Sequence, residues 1–219
     1  MSAKTKYAAM SRRAAMTAAA LAAMATLAGC GGGGAGASAD GDMAIGASEA
    51  DAKVTVVEYA SVTCGVCAAW HEETWPAFKA AYVDTNKVRF VFRELPTGPV
   101  NVAVAGFMIA RCAGEDKYFD VVGGIMSSQR EWQQGVNPRD TLFRIGNGAG
   151  LSNQQIETCI KDPENIAAAD ARARAAQAAG VDGTPSFYVN GVKVITPGST
   201  SGTSLADLSR AIDAELAKG

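Results

Sequence analysis

The chain has a single histidine, His71, among 219 residues. That scarcity argues against metal sites built on imidazole, so no metal is expected. Charge is sparse and balanced, 20 Lys and Arg against 22 Asp and Glu, for a formal net charge of −2. No basic stripe or acidic tail is present, which excludes the electrostatic footprint of a nucleic-acid binder. The N-terminal part carries no heptad pattern, so no oligomerisation stalk is expected and the chain reads as a monomer. What the chain does have is apolar residues, 48% of the total, enough to bury a real core. Its length fits one ordinary domain, or one domain with an insertion, once a leader is set aside.

That leader occupies the first stretch. Lys4, Lys6, Arg12 and Arg13 form a positive region, and an Ala-rich apolar run follows from Ala14 to Ala28. The run is short for a membrane span and Ala is only weakly apolar, so an uncleaved anchor helix is the lesser alternative. The run ends in Leu27-Ala28-Gly29-Cys30, which resembles a bacterial lipobox. The resemblance implies cleavage before Cys30, residues 1–29 as a lipoprotein signal peptide, and lipid on Cys30. It further implies a place in the bacterial envelope, facing the periplasm and tied to a lipid bilayer. Arg12-Arg13 hints at twin-arginine export, though Ala14-Ala15-Met16 fits that pattern poorly. Residues 30–41 are rich in Gly, Ala and Ser and read as a flexible tether.

The five cysteines then sort themselves. Cys30 belongs to the leader, Cys64 and Cys67 form a C-x-x-C, and Cys112 and Cys159 are left as a candidate pair. Export would put the later four in an oxidising compartment.

Beyond the tether, the β-branched run Val54–Ala60 reads as a buried central strand. Apolar residues then recur at helical spacing from Cys64 to about Asp84, with Pro76 expected to kink the helix. Lys87–Leu95 reads as a second strand, which gives a right-handed β-α-β unit if the two share a sheet. Helical signals fill residues 97–180: an apolar helix Val100–Ala113, a short one at Tyr118–Ser127, and starts at Pro138, Ser152 and Asp162. Gly180 ends the last of these. From Pro185 to Val189 the pattern alternates, Asn190-Gly191 makes a tight turn, and Val192–Ile195 pairs back. An amphipathic helix, Leu205–Leu216, closes the chain. The expected class is α/β. Residues 42–96 form the first part of the sheet domain, 97–180 a helical insertion, and 181–219 the second part.

Cys64 falls where the first strand hands over to a helix. Unpaired N–H groups and the positive end of the helix dipole favour a thiolate there. Cys67 lies one turn on, on the same face, close enough to close a disulfide, form a mixed disulfide and resolve it. A c-type haem site would need His after the second Cys, and Ala68 stands there. A purely structural disulfide over so short a loop is the remaining plain reading. No cofactor is expected.

Two segments together resemble the DsbA-like proteins. Glu58-Tyr59-Ala60-Ser61-Val62-Thr63-Cys64-Gly65-Val66-Cys67, with Trp70-His71 and Pro76, is similar to their active-site segment. Gly183-Thr184-Pro185-Ser186-Phe187, with Asn190-Gly191, is similar to their cis-proline loop and hairpin. The likeness spans roughly residues 42 to 217. It implies a thioredoxin-like fold with a helical insertion, and a cis Pro185 beside Cys64 in a loop that offers backbone groups to an extended substrate. It also implies that Glu58 is a proton relay beneath the site, near Cys67; the plainer reading is a Glu on a polar face. His71 receives a supporting role. The likeness further implies a structural disulfide between Cys112 and Cys159; the alternative is two buried free thiols packing as small apolar groups.

One departure stands out. Strongly oxidising members carry a His inside the dipeptide, and here it is Gly65-Val66. The thiolate is then left mainly to the helix terminus, and Cys64 is expected to be less acidic than in those members. The leading reading is an enzyme that introduces disulfides into exported proteins and is recharged by a membrane redox partner. A disulfide isomerase or reductase on the same fold is the near rival. A tethered chaperone or binding protein without turnover, and more weakly a metal-transfer protein, are the rivals from other classes.

Overall fold

The computed structural model describes residues 41–218. The lipobox, Cys30 and all but the last residue of the tether lie outside them.

The first central strand is β2, Thr55–Ala60, and it pairs in parallel with β3, Arg89–Glu94. Between them run α1, Gly65–Glu73, then α2, Trp75–Phe78, and a π-helical turn, Lys79–Val83. The helical stretch therefore breaks at Thr74, before Pro76. Pro76 sits in the first turn of α2, where its missing N–H costs nothing. β4, Ser186–Val189, lies antiparallel to β2, and β5, Val192–Val194, pairs with β4 through the Asn190-Gly191 turn. Both turn residues have positive φ, as a tight hairpin requires.

A short strand unanticipated from the sequence, β1, Met43–Gly46, pairs antiparallel with β3. The sheet order is β1-β3-β2-β4-β5. Four residues ending in Gly carry little strand signal of their own; the open edge of β3 makes them a strand.

The insertion holds α3, Val100–Cys112; α4, Glu115–Ser127; α5, Gln129–Gln133; α6, Pro138–Gly148; α7, Asn153–Lys161; and α8, Pro163–Ala178. The caps are local and legible. Asn137 accepts from the Arg139 N–H, Asp162 accepts from the Glu164 N–H, and Ser152 with Gln155 forms a capping box. Helix α5 was not read from the sequence; five residues give no periodicity to detect. The last helix, α9, spans Leu205–Leu216.

Strand alternation sorts the core into two faces. Val56, Ala60, Phe90, Phe92 and Phe187 join Trp70 and Phe78 and the buried residues of α3, α4 and α9 in the main core. Each such aromatic, fully buried, contributes roughly 1.5–3 kcal/mol. Val57, Tyr59, Val91 and Tyr188 point the other way and pack under Ala176 and Val181 at the end of α8. Helix α8 thus reaches across to the second face of the sheet. Its Arg172 meets Glu94, which is 3% exposed at the end of β3, and Arg111 and Tyr118 of the insertion bond the same carboxylate. Four elements converge on one buried anion, which is satisfied by two guanidinium groups and a hydroxyl. Close by, a Cβ at Gly106 of α3 would stand 3.0 Å from Val62 and 3.3 Å from Ile125. The lack of a side chain there lets the insertion lie directly on the loop before Cys64.

Candidate active site

The loop Ser61–Thr63 carries β2 into α1, and it is tied down before the helix begins. Ser61 Oγ accepts from the Thr97 N–H at 3.1 Å, and Thr63 Oγ1 donates to the Thr97 carbonyl at 3.0 Å. Cys64 is the N-cap of α1, in extended conformation. Its sulfur accepts from the Cys67 N–H at 3.1 Å and lies 3.5 Å from the Thr184 carbonyl oxygen. Both thiols are free, Cys64 half-buried and Cys67 fully buried.

The two sulfurs have opposite proton preferences. The Cys67 thiol donates to Cys64, and this is the largest effect lowering the Cys64 thiol to about 6. Partial burial opposes it, while the Thr184 side chain and the backbone N–H groups of Cys67 and Val66 add to it. Burial pushes the Cys67 thiol strongly up, and the charge on Cys64 and on Glu58 pushes it further. Of the pair, Cys64 carries the charge and Cys67 keeps the proton.

This modifies the expectation drawn from Gly65-Val66. Their side chains supply no donor, yet Cys64 is acidified well beyond the roughly 8.5 of a free thiol, though short of the roughly 3.5 of DsbA. A neighbouring thiol and a threonine from a distant loop act together with the N–H groups of the helix start.

The Thr184–Pro185 peptide bond is cis. Pro185 and Val66 share the wall of a cavity of about 290 Å³ with Ile195, Thr196, Thr203 and Gly202. Gly202 has φ +83°, and a Cβ there would meet Pro185 Cγ at 2.8 Å. The 196–204 loop therefore presses on the proline loop through a glycine. The Trp70 Nε1–H donates to the Thr203 carbonyl at 2.8 Å and fixes that loop to α1. A second cis proline, Pro99, follows the loop that holds Ser61 and Thr63; no sequence signal pointed to it.

Glu58 sits on the face of β2 that carries Val56 and Ala60, with 0% exposure. Its Oε2 lies 3.3 Å from His71 Nε2, and its Oε1 is buried without a hydrogen-bond partner among the described residues. The polar-face reading of Glu58 is thus incorrect: burial is complete and His71 is its partner. His71 is otherwise packed among aromatic rings, Trp70, Trp75 and Phe92. Gly65 is exposed and open, with only Gln129 near where a side chain would begin.

Cys112 and Cys159 are disulfide-bonded, with Cα atoms 6.5 Å apart, and join the end of α3 to α7. Among the described residues no cluster of His, Cys, Asp and Glu could hold a metal ion, and no helix is long and apolar enough to cross a membrane.

A parallel β-α-β unit, a cysteine pair at its helix start and a cis proline opposite them are the marks of one fold. The family model described as Thioredoxin matches residues 38–214. The chain belongs to the thioredoxin family. A Rickettsia typhi protein provisionally named a protein-disulfide oxidoreductase is 33% identical over 177 residues, covering 80% of this chain and 62% of that protein. A Rickettsia conorii relative with the same kind of name is 34% identical, covering 81% and 61%. The chain therefore spans less than two thirds of the length of these relatives.

Among solved structures, Wolbachia pipientis alpha-DsbA1 is similar in fold, with a TM-score of 0.69, 23% identity, and cover of 83% of this chain and 94% of that one. Oxidised BdbD from Bacillus subtilis has a TM-score of 0.69 and 20% identity, covering 83% and 96%. This thioredoxin-family chain thus has the DsbA-like fold, with the helical insertion between β3 and β4.

Proposed function

We propose that the chain is an envelope thiol–disulfide oxidoreductase that forms disulfides in exported proteins through Cys64 and Cys67. One observation carries the reading: a half-buried Cys64 caps a helix, its sulfur accepting the Cys67 N–H, one turn from a fully buried Cys67.

In the oxidised enzyme a substrate thiolate attacks Cys64 Sγ. A substrate–Cys64 disulfide forms, the Cys64–Cys67 bond breaks, and Cys67 leaves as a thiolate that takes up a proton. Glu58, buried beneath the site, is the group assigned to carry that proton. A second substrate thiolate then attacks the substrate sulfur of the mixed disulfide, and Cys64 leaves as a thiolate. The substrate dithiol loses two electrons to become a disulfide, and the enzyme disulfide gains them. A sulfur held near pKa 6 is a good leaving group in that last step, which favours oxidation over reduction or isomerisation. The cavity beside Pro185 gives an extended substrate a surface to lie against.

The lipobox-like Leu27–Cys30 supports export and anchoring to a bilayer through Cys30. A membrane redox partner would then return the pair to its disulfide. In the test, the purified protein is given a reduced unfolded substrate and, separately, a scrambled one. Rapid oxidation with poor recovery of the scrambled form is expected. Equal recovery of the scrambled form would make it an isomerase. Full protection of unfolded substrate by Cys64→Ser would make it a chaperone.

A further inference from the structure

Two carbonyls flank the reactive residue, those of Val62 and Cys64, and one side chain reaches both. The Gln129 Nε2 group donates to the Val62 carbonyl at 2.7 Å and to the Cys64 carbonyl at 3.2 Å. Gln129 is the first residue of α5, in the helical insertion. We infer that Gln129 is a positioning residue that sets the acidity and redox poise of Cys64 from the insertion. The inference rests on the proposed thiol–disulfide chemistry.

The physical argument runs through the peptide planes. The Cys64 carbonyl direction is fixed by the Cys64–Gly65 plane, and the same plane directs the first N–H of α1. Cys64 has φ −81° and ψ 116°, the geometry that turns its sulfur back over the helix start to accept from Cys67. A rotation of that plane would turn the first N–H of α1 away and shift the helix start relative to the sulfur that accepts from it. Holding the Val62 carbonyl as well pins both ends of the Thr63-Cys64 segment, so the N-cap geometry cannot drift.

There is an electrostatic part too. A carbonyl oxygen is a negative partial charge, and these two belong to the segment that carries the thiolate. The Cys64 carbonyl already accepts the Ala68 N–H at 3.0 Å. Gln129 adds a second donor there and one at Val62, which offsets part of the field of both oxygens. The next residue, Arg130, bonds Glu72 of α1 at 2.5 Å, so α5 also grips the helix farther along. That pair is exposed and contributes little by itself.

Three variants test this in the full-length protein. Gln129→Met keeps the length and removes both donors. Gln129→Glu removes them and places a carboxylate by the carbonyls. Arg130→Ala removes the exposed contact between α5 and α1 without touching Val62 or Cys64. The readouts are the Cys64 thiolate absorbance against pH and the equilibrium with glutathione, with the melting temperature measured alongside. Gln129→Met should raise the thiol midpoint by about half a unit and make the disulfide about threefold harder to reduce, or about 14 mV at about 30 mV per tenfold. Gln129→Glu should shift both further the same way, and Arg130→Ala should shift neither. Unchanged midpoints in both Gln129 variants would overturn the inference. So would an equal shift in Arg130→Ala, since general loosening would then be the cause. A wild-type pair that fails to exchange with glutathione at all would instead sink the proposed function.

Discussion

The molecule holds two cysteine pairs that sit on different elements and meet different surroundings. Cys64 and Cys67 are free and lie at the start of a helix; Cys112 and Cys159 are bonded across a sequence separation of 47. The Cys64 sulfur accepts a backbone N–H at 3.1 Å and meets a thiol and the Thr184 side chain, all of which stabilise a thiolate, with the Thr184 carbonyl farther off at 3.5 Å. The Cys159 sulfur faces the Met108 carbonyl at 3.2 Å, packs with Met108 and Ala169, and meets the Asn165 side-chain amide at 4.0 Å, a longer and weaker donor contact than the backbone N–H at Cys64. Surroundings, not the cysteines, separate a pair suited to cycling from one suited to bracing helices.

The sharpest way to break this division is substitution on each side. Cys64→Ser should lower substrate oxidation by about a hundredfold or more, with no mixed disulfide trapped. Cys112→Ala with Cys159→Ala should still oxidise substrate through Cys64 and Cys67 at close to the wild-type rate. A double variant as inactive as Cys64→Ser would show that the second pair takes part in turnover.

Stability should divide the other way. Loss of a cross-link closing a loop of this length costs about 4 kcal/mol in the chain-entropy account. Urea unfolding of the double alanine variant should show a loss of that order, while Cys64→Ser at the half-buried helix end should lose far less. A loss below about 1 kcal/mol in the double variant would deny the second pair its bracing role.

A third test sharpens the contrast through pH. The reduced wild-type should titrate a thiolate near 6. Cys67→Ala removes the largest acidifying contact and should move that midpoint upward. Because the folded-state value lies below the roughly 8.5 of a free thiol, Cys64 contributes stability fully above that pH and loses it as pH falls through about 6. The reduced protein should therefore gain stability between pH 6 and 9 relative to Cys64→Ser. A flat difference across that range would contradict the assignment.

The smallest expected effect is at Gly202. A side chain there meets Pro185 and needs φ +83°. Gly202→Ala should cost about 1 kcal/mol and raise the substrate KM, with the Cys112–Cys159 bond equally resistant to reductant. A change confined to that bond would reverse the comparison.

Much of this was readable along the chain, because the signals are local. Strand β2, the cysteine spacing, the capping box at Ser152, the Asn190-Gly191 turn and helix α9 each depend on neighbours a few residues away. The family likeness carried the placement of Pro185 and the burial of Glu58. The rest depended on side chains meeting across the fold. Nothing around Gln129 marks it; it reaches the Val62 and Cys64 carbonyls only because α5 packs over that loop. The Glu58–His71 contact needs β2 and α1 stacked. The acidity of Cys64 draws on Thr184, which the sheet brings alongside β2. The chain alone determined where a redox pair could sit and what elements would frame it, since propensity, capping and spacing act within a turn or a strand. Only the tertiary structure decided how acidic that pair would be, because hydrogen bonding and desolvation depend on what the fold places within a few ångströms.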